Sequence, residues 1–341
     1  LQQSTALAAV EAIVSVASAY TRIRPLGDAE LEVLFPMVLA RLALSVSVGS
    51  KALVEQPDNE YLLIHRAKAW QCMSLLVEFP APSVALRLKW ACLPDYGTRL
   101  AHARETLHAT LTSPPHPIVT AFDLRAPTVA TLDLSGSNPA MAAVDVTDVR
   151  AFTAYIESVC REVGGGHEQP LVALGRYNED RVIYQSDLFL RNPFPRSLHL
   201  GIDVFLPAGT ELFAPLEGVV HSIADNAQSL DYGPTVILEH RLAAASEGEA
   251  AATVRAFTLF GHLSRESLAL HRPGDAVRKG ERVGWVGDAD VNGGWPPHLH
   301  FQVQLDMLGL KGDFPGVVHP SEREMWVQCV PDPASLLGLP R

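Results

Sequence analysis

The sequence predicts an α+β protein in which a helical N-terminal region precedes a mainly antiparallel β-sheet domain. Apolar residues recur at helical spacing through the first third of the chain. From Ile118 onward, short β-rich runs alternate with Gly, Pro and Asn turns. The chain has 341 residues, enough for about two domains, and 48% of them are hydrophobic, so each domain can bury a core.

Residues 1–112 are predicted to form helices whose starts are marked by capping residues. Ser4, Asp28 and Asp58 each precede an apolar run and are suited to the N-cap position. In the third helix the apolar positions share one face, and we expect that face to be buried against neighbouring helices. These positions are Ile64, Ala67, Trp70, Met73 and Val77.

The longest apolar stretch, from Leu31 to Val48, is predicted to be too short to span a bilayer. It contains Pro36 and Arg41, which interrupt the apolar run. No basic segment followed by an apolar segment and a cleavage site is visible, so we expect a cytoplasmic location. Because the sequence starts at Leu1 without Met, we also expect it to be a fragment of a longer protein.

The region after the helices is predicted to consist of two further segments. Ser-Pro-Pro-His at residues 113–116 opens a connecting α/β extension, residues 113–192, with one helix at 146–163. Residues 193–341 are predicted to form the β-sheet domain. Its expected strands include residues 218–223, 235–240, 256–261, 282–287 and 298–305. The Ala-, Glu- and Gly-rich stretch 241–253 is expected to be an exposed insertion between two strands.

The charge and the cysteines exclude several classes of protein. The net charge is -11 at pH 7, with 27 Lys and Arg against 38 Asp and Glu. Proteins that bind nucleic-acid phosphates or anionic lipid need a basic surface. We therefore expect neither nucleic acid nor a membrane among the partners. The four cysteines form no C-x-x-C pair, which argues against a disulfide scaffold and favours a reducing compartment.

Five polar residues of the β-sheet domain have the spacing of a metal site. His199 and Asp203 form H-x-x-x-D, His298 and His300 form H-x-H, and His262 ends a strand-like run. Side chains alternate along a strand, so the members of each pair share one face. Two such strands side by side would bring imidazoles and a carboxylate to one point, which suits Zn²⁺ with an open position for water.

The residues around these motifs resemble the lysostaphin/LytM-type zinc endopeptidases, which cut peptide bonds in bacterial peptidoglycan. The resemblance runs from Arg196 to Asp306 in ordered motifs, so it is far more specific than a lone H-x-H. Its motifs include residues 199–204, 260–264, 274–280, 284–288 and 297–302. It implies a LytM-like zinc metallopeptidase domain with a duplicated hybrid motif or barrel-sandwich fold.

The same resemblance implies a role for each polar residue. His199, Asp203 and His300 would be the zinc ligands. His262 and His298 would lie beside the metal-bound water as catalytic residues, and which of them is the general base stays open. The implied substrate is a peptide or a peptidoglycan-derived fragment.

Four departures from the family pattern concern the substrate more than the chemistry, and one of them is the insertion 241–253. Gln302 stands where a Glu is usual after the H-x-H motif, and Phe260 replaces a common Tyr. The approach to the H-x-H motif, residues 292–297, is bulkier than usual. Because no export signal is visible and peptidoglycan lies outside the cytoplasm, a second class of function stays open, namely a metal- or ligand-binding module of a multifunctional enzyme with little hydrolysis of its own.

A fainter resemblance covers residues 6–79. This part is similar to the end of the C-terminal lobe of choline/aminoglycoside-type kinases, but the catalytic H-x-D loop and the metal-binding Asp motif are absent. The resemblance implies a kinase-lobe remnant without kinase activity. Together with the peptidase-like segment, it also implies covalent fusion to kinase-like and PLP-dependent class III aminotransferase domains in a parent protein.

The stretch Gly175–Arg181 mixes charges with an aromatic residue ahead of the metal motif. Two interpretations stay open at this point. The stretch either helps to shape the cleft around the metal, or it is a solvated loop.

Overall fold

The structure, a computed structural model, describes five stretches of the chain, residues 2–111, 114–165, 172–190, 194–243 and 253–340. It divides into two compact units: Leu1–Thr98 with Arg191–Pro195, and Arg99–Leu190 with Arg196–Arg341. The predicted domain limits at residues 112 and 192 do not coincide with these units and stay predictions. The predicted boundary motif 113–116 lies partly outside the described residues.

The first unit is built from helices α1 (Gln2–Thr21), α2 (Asp28–Glu55), α3 (Glu60–Leu76) and α4 (Ala81–Cys92). Ser4 does not cap α1, because that helix already begins at Gln2. The caps of α2 and α3 lie one position from those predicted. Gly27 caps α2, since its N–H donates to Glu30 Oε2 at 2.8 Å, and Asn59 caps α3 by accepting from the Leu62 N–H at 3.3 Å. The core of the unit is apolar and includes Val10, Val14, Leu31, Phe35, Leu76 and Leu88.

The prediction that one apolar face of α3 is buried is wrong for this structure. Ile64, Trp70 and Val77 are 52%, 56% and 57% exposed, Ala67 is exposed and Met73 is half-buried. Apolar residues are spread around α3 rather than along one stripe, so their spacing does not single out the face that packs. Leu76, outside the predicted stripe, is the buried residue of this helix.

Helix α2 runs through Pro36 without a break and spans 28 residues. By length and composition it could cross a membrane, with a mean hydropathy of 1.8 over its most apolar window, of which 11% is buried. The expectation that this stretch is too short is therefore wrong. One helix that meets these two criteria is weak evidence for a membrane span, so the absence of a membrane partner stays a prediction.

The second unit holds the β-strands. They are β1 (Ala130–Leu132), β2 (Ala173–Gly175), β3 (Glu179–Asp180), β4 (Leu198–His199), β5 (Ile202–Phe205), β6 (Glu211–Phe213), β7 (Gly218–Asn226), β8 (Gly233–Ala243), β9 (Thr253–Gly261), β10 (Ala276–Val277), β11 (Arg282–Trp285), β12 (His298–Gln304) and β13 (Val317–Val318). Helices α6 (Val149–Val163), α7 (Asp187–Leu190) and α8 (Arg323–Cys329) lie in the same unit, and α5 (Tyr96–Thr110) includes the limit between the units.

Eight strands form one sheet in the order β1-β2-β5-β12-β9-β8-β7-β10, and every pair except β1–β2 is antiparallel. Two smaller sheets are formed by β11-β6 and by β13-β4-β3. The predicted α+β class, with a helical N-terminal region and a mainly antiparallel sheet, is confirmed. Each of the five predicted strands overlaps an observed one. Of the predicted insertion, residues 241–243 belong to β8 and Thr253 begins β9, and residues 244–252 are outside the described residues.

Strand β12 separates an apolar core from a polar face. Because side chains alternate along a strand, every second residue of β12 lies on one side of the sheet. On the core side, the Phe301 ring lies 5.2 Å from the ring of Phe260 on β9. The other side carries four buried polar residues, His298, His300, Gln302 and Gln304.

Candidate metal centre

Strands β4, β5 and β12 bring the three predicted ligands together. His300 on β12 lies directly opposite Asp203 on β5 in the antiparallel ladder, and β4 ends at His199, three residues before β5 begins. The link between β4 and β5 contains Gly201. A side chain there would have its Cβ 2.5 Å from His300 Cε1, so glycine is what lets this imidazole approach.

The ligand atoms form a compact triangle. His199 Nε2 lies 2.9 Å from His300 Nδ1 and 3.2 Å from Asp203 Oδ1, and His300 Nδ1 lies 3.0 Å from Asp203 Oδ1. Ligands that bind a tetrahedral zinc ion at about 2.0–2.1 Å are about 3.3 Å from one another. These three atoms, here called the ligand triangle, are therefore close to the spacing that zinc requires.

Hydrogen bonds on the far side of the rings fix the position of each proton. His199 Nδ1 lies 3.2 Å from the Arg176 carbonyl oxygen. His300 Nε2 lies 3.0 Å from Gln302 Oε1, and the Gln302 amide nitrogen donates to the Pro315 carbonyl at 3.2 Å, which fixes the orientation of the amide. Carbonyl oxygens only accept, so His199 Nδ1 and His300 Nε2 carry the protons. The two other ring nitrogens carry lone pairs.

Three lone-pair atoms thus meet in the ligand triangle without a proton between them. Such an arrangement repels itself unless a cation lies among its members. Two imidazole nitrogens and one carboxylate oxygen are a donor set that zinc commonly uses. His199, Asp203 and His300 are 1%, 4% and 3% exposed, so water does little to screen the repulsion. The residues present therefore fit a divalent metal ion.

The electrostatic environment supports this charge state. Burial, with Arg181 nearby, lowers the pKa of His199 to about 3, so this imidazole is neutral at neutral pH. Burial opposes ionisation of Asp203, but nearby positive charge, which Arg181 carries at neutral pH, holds the pKa of that carboxyl well below its usual value. A neutral imidazole and an ionised carboxylate are the forms that bind metals.

His298 and His262 lie beside the ligand triangle. His298 Nε2 is 3.9 Å from Asp203 Oδ1, and the ring centroids of His262 and His298 are 4.1 Å apart. His298 Nδ1 donates to the Pro296 carbonyl at 2.7 Å, and His262 Nδ1 donates to the Asn292 carbonyl at 2.8 Å. Each therefore has a lone pair on Nε2. Burial lowers the pKa of both rings, so both can accept a proton at neutral pH.

The backbone of His262 is strained. Its φ is 62°, in the left-handed region that costs a non-glycine residue about 1–2 kcal/mol. Two backbone hydrogen bonds hold it there, from the His262 N–H to the Tyr232 carbonyl at 2.8 Å and from the Gly287 N–H to the His262 carbonyl at 2.9 Å. Strain of this kind concentrates at functional sites.

Aromatic side chains enclose the site. The Phe205 ring stacks on His298 with centroids 5.0 Å apart and an angle of 25° between the planes. Tyr232 Oη lies 3.4 Å from His300 Nε2, and burial raises the pKa of this phenol well above its usual value, so it stays protonated. His262 and His298 are 5% and 4% exposed, so all five predicted residues are buried together. Their roles as ligands and catalytic groups stay predictions.

Sequence reasoning missed the buried ion pairs next to Asp203. Arg181, with no exposed side-chain surface, donates from Nη1 to Asp203 Oδ2 at 2.5 Å and from Nε to Glu179 Oε2 at 2.9 Å. The solvated-loop interpretation of the stretch Gly175–Arg181 is therefore wrong for Glu179 and Arg181, although Arg176 is 47% exposed. The spacing of Glu179 and Arg181 could have indicated this pair, because opposite charges two residues apart lie on the same side of an extended segment.

Comparison with known proteins places this site inside a family match. Residues 197–310 match the family model of Peptidase family M23. An uncharacterized metalloprotease of Haemophilus influenzae is 32% identical over 108 residues, which are 32% of this chain and 19% of that protein. This chain therefore spans about a fifth of the length of that relative.

Solved structures show weaker similarity. A zinc-containing peptidase from Vibrio cholerae is 23% identical, with 31% of this chain and 27% of that chain covered and a TM-score of 0.24. The catalytic domain of the prophage-encoded M23 protein EnpA from Enterococcus faecalis is 20% identical, with 46% and 93% covered and a TM-score of 0.27. The family match covers about a third of the chain, and that third contains every member of the ligand triangle together with His262 and His298.

Proposed function

We propose that residues 197–310 form the core of a zinc-dependent metallopeptidase that hydrolyses a peptide or amide bond. The convergence of three lone-pair atoms in the ligand triangle carries the proposal, because it is a donor set for a metal and is otherwise repulsive. The match to Peptidase family M23 over the same residues supports it. The proposed substrates are peptidoglycan-type peptides or a small cytoplasmic peptide.

Different side chains of this protein would bind the metal and transfer the proton. His199, Asp203 and His300 would hold the metal, which when bound supplies a Lewis acid and lowers the pKa of water to about 7. His262 and His298, each with its Nδ1 proton held by a carbonyl, would accept the proton of the attacking water at Nε2 and return it to the leaving amine. The order in which the two imidazoles act stays open.

A binding module with little hydrolysis of its own is the second candidate function. The burial of the site favours it, because a peptide backbone cannot reach residues that are 1–5% exposed unless covering side chains move. Such a module would hold the metal in the same ligand triangle. The two candidates therefore differ in access to the site rather than in ligand chemistry.

The experiment that separates them combines elemental analysis with a substrate panel. After reconstitution with zinc, the protein should hold about one metal ion per chain. The panel should contain Gly-rich peptides, muropeptides and small dipeptides. Cleavage that a chelator abolishes reversibly would support the peptidase, whereas bound zinc without cleavage of any member would favour the module. Absence of bound metal would refute both.

The context of the chain is also part of the proposal. We propose a cytoplasmic protein in which this chain is fused covalently to kinase-like and PLP-dependent aminotransferase domains, without nucleic acid or membrane partners. The kinase motifs missing from residues 1–112 support a remnant without activity. ATP-dependent phosphoryl transfer by this chain to choline, an aminoglycoside or a hydroxy-amino acid would contradict it, and sequencing the reading frame on both sides would test the fusion.

A further inference from the structure

The side chain of Arg181 makes a fixed contact with each of its three nitrogens. Nη1 donates to Asp203 Oδ2 at 2.5 Å, Nε donates to Glu179 Oε2 at 2.9 Å, and Nη2 donates to the Arg176 carbonyl at 3.0 Å. The side chain has no exposed surface. A guanidinium is planar and rigid, so these three acceptors determine its position and orientation.

The neighbouring strand leaves space for this guanidinium. Gly175 on β2 lies opposite Asp203 on β5 in the antiparallel ladder. A Cβ at this glycine would lie 2.8 Å from Arg181 Nη2 and 3.3 Å from Asp203 Cβ. Any side chain at position 175 would therefore displace the arginine, and its position next to the carboxylate depends on this glycine.

Because of Arg181, the two carboxylate oxygens of Asp203 have different contacts. Oδ2 accepts the hydrogen bond from Arg181, whereas Oδ1 faces His199 Nε2 and His300 Nδ1 at 3.2 and 3.0 Å. While Oδ2 is held in this way, the carboxylate can offer one oxygen to a metal. Without the arginine, the carboxylate would be free to rotate about χ2 and to bind through both oxygens.

Glu179 makes it possible for the arginine to be buried next to a cation-binding site. Its Oε2 accepts from Arg181 Nε, and its Oε1 accepts from the Leu134 N–H at 3.2 Å. The Glu179 side chain is 5% exposed. A buried charge is costly unless it is paired, so this second carboxylate offsets the positive charge that Arg181 would otherwise direct at the metal.

We propose that Arg181, held by Glu179, is a positioning residue that restricts Asp203 to binding the metal through Oδ1 alone. The inference rests on the proposed metal-binding function and adds to it a residue that contacts a ligand rather than the metal. Partners that orient metal ligands typically contribute about 10–100-fold to metal affinity. The arginine would thereby preserve the low coordination number that leaves a position open for water.

The test compares Arg181→Lys and Arg181→Met with the wild-type protein. Lysine keeps the positive charge, but its compact ammonium lacks the planar fork by which the guanidinium meets Asp203, Glu179 and the Arg176 carbonyl at once. Both variants should bind zinc about 10–100-fold more weakly in competition with a chelator. Their cobalt(II) forms should also show weaker visible absorption, because two-oxygen binding by Asp203 raises the coordination number and four-coordinate cobalt absorbs most strongly.

Arg282 provides the matched control. It pairs with Glu211 on the surface, where the two side chains are 43% and 45% exposed. Arg282→Lys and Arg282→Met should keep wild-type zinc affinity and cobalt absorption. Far-UV circular dichroism should show which variants are folded.

Folded Arg181 variants with wild-type zinc affinity and cobalt bands would overturn the proposal. If neither variant folds, Glu179→Gln decides, since glutamine has only one oxygen for the Arg181 Nε–H and Leu134 N–H groups and no longer offsets the charge of the arginine. Zinc affinity should then fall about tenfold, and unchanged affinity would overturn the proposal. Wild-type protein that binds no zinc would instead refute the proposed function itself.

Discussion

Asp231, directly before Tyr232 at the edge of the site, is predicted to destabilise the folded protein at neutral pH. Burial raises the pKa of this carboxyl to about 6, Asp313 adds to the effect, and the hydrogen bond from the Tyr232 N–H to Oδ1 at 2.8 Å and nearby Arg196 oppose it. In an unfolded chain the pKa of an aspartate is about 3.9. Folding therefore favours the protonated form of Asp231.

The sign of the pH dependence follows from the raised pKa. Between about pH 4 and pH 6 the folded protein binds more protons at this position than the unfolded chain, so stability falls as pH rises through this window. A pKa difference of about two corresponds to at most about 3 kcal/mol at pH 7 and above. Below about pH 4 both states are protonated and the cost disappears.

Asp231→Asn removes the charge and keeps an oxygen to accept from the Tyr232 N–H. The variant should therefore be more stable than the wild type by up to about 3 kcal/mol at pH 8 and by little at pH 4. Urea unfolding at both pH values measures the difference. Asp225→Asn is the control, because Asp225 pairs with Arg265 at 3.5 Å and should not gain stability at pH 8. Equal stability of Asp231→Asn and wild type at pH 8 would refute the reasoning.

Three further predictions concern the metal centre. Alanine at any residue of the ligand triangle should remove most of the zinc measured by elemental analysis. His262→Ala and His298→Ala should keep a zinc content near that of the wild type. Their kcat on a cleaved substrate should fall about 10²–10⁴-fold, the usual contribution of one acid or base. The activity of the wild type should rise with pH through about 7. Gln302→Leu should weaken zinc binding about 10–100-fold in chelator competition, because His300 Nε2–H loses its acceptor at 3.0 Å and keeps only Tyr232 Oη at 3.4 Å.

Each of these predictions has an outcome that contradicts it. If His298→Ala loses zinc as fully as His300→Ala, the assignment of ligands within the H-x-H motif is wrong. If Gln302→Leu binds zinc like the wild type, the amide does not orient the ligand. His221→Ala is a suitable control for all of them, since His221 is half-buried on β7, where its Nδ1 contacts Ser222 Oγ at 2.9 Å.

The shared face of His298 and His300 was predictable because it depends on local spacing alone. The H-x-H motif lies on β12, where alternation places His298 and His300 on one face as expected. The expectation that His199 and Asp203 alternate along one strand is wrong, because the H-x-x-x-D motif spans the bend between β4 and β5, which belong to different sheets. Gly201 in that bend makes room for His300. An H-x-H motif on a strand indicates that its two side chains share one face, without knowledge of the rest of the fold.

Contacts between distant segments were not predictable in the same way. The bond between Arg181 and Asp203 joins residues 22 positions apart and depends on how β2 pairs with β5. The spacing of apolar residues in α3 likewise gave no way to know that Trp70 would be 56% exposed. Pairing register and the choice of packing face are set by the whole chain, so local patterns leave them undetermined.

The bulky approach to the H-x-H motif now has a physical explanation. Carbonyls of the segment 292–297 hold the Nδ1 protons of both His262 and His298, and Trp295 of the same segment is 5% exposed with its ring 6.2 Å from that of Tyr184. If this segment moved aside to admit a peptide, both imidazoles would lose the bonds that fix their tautomers. In a working peptidase, the segment that carries Trp295 would therefore have to stay in place while a substrate reaches the site.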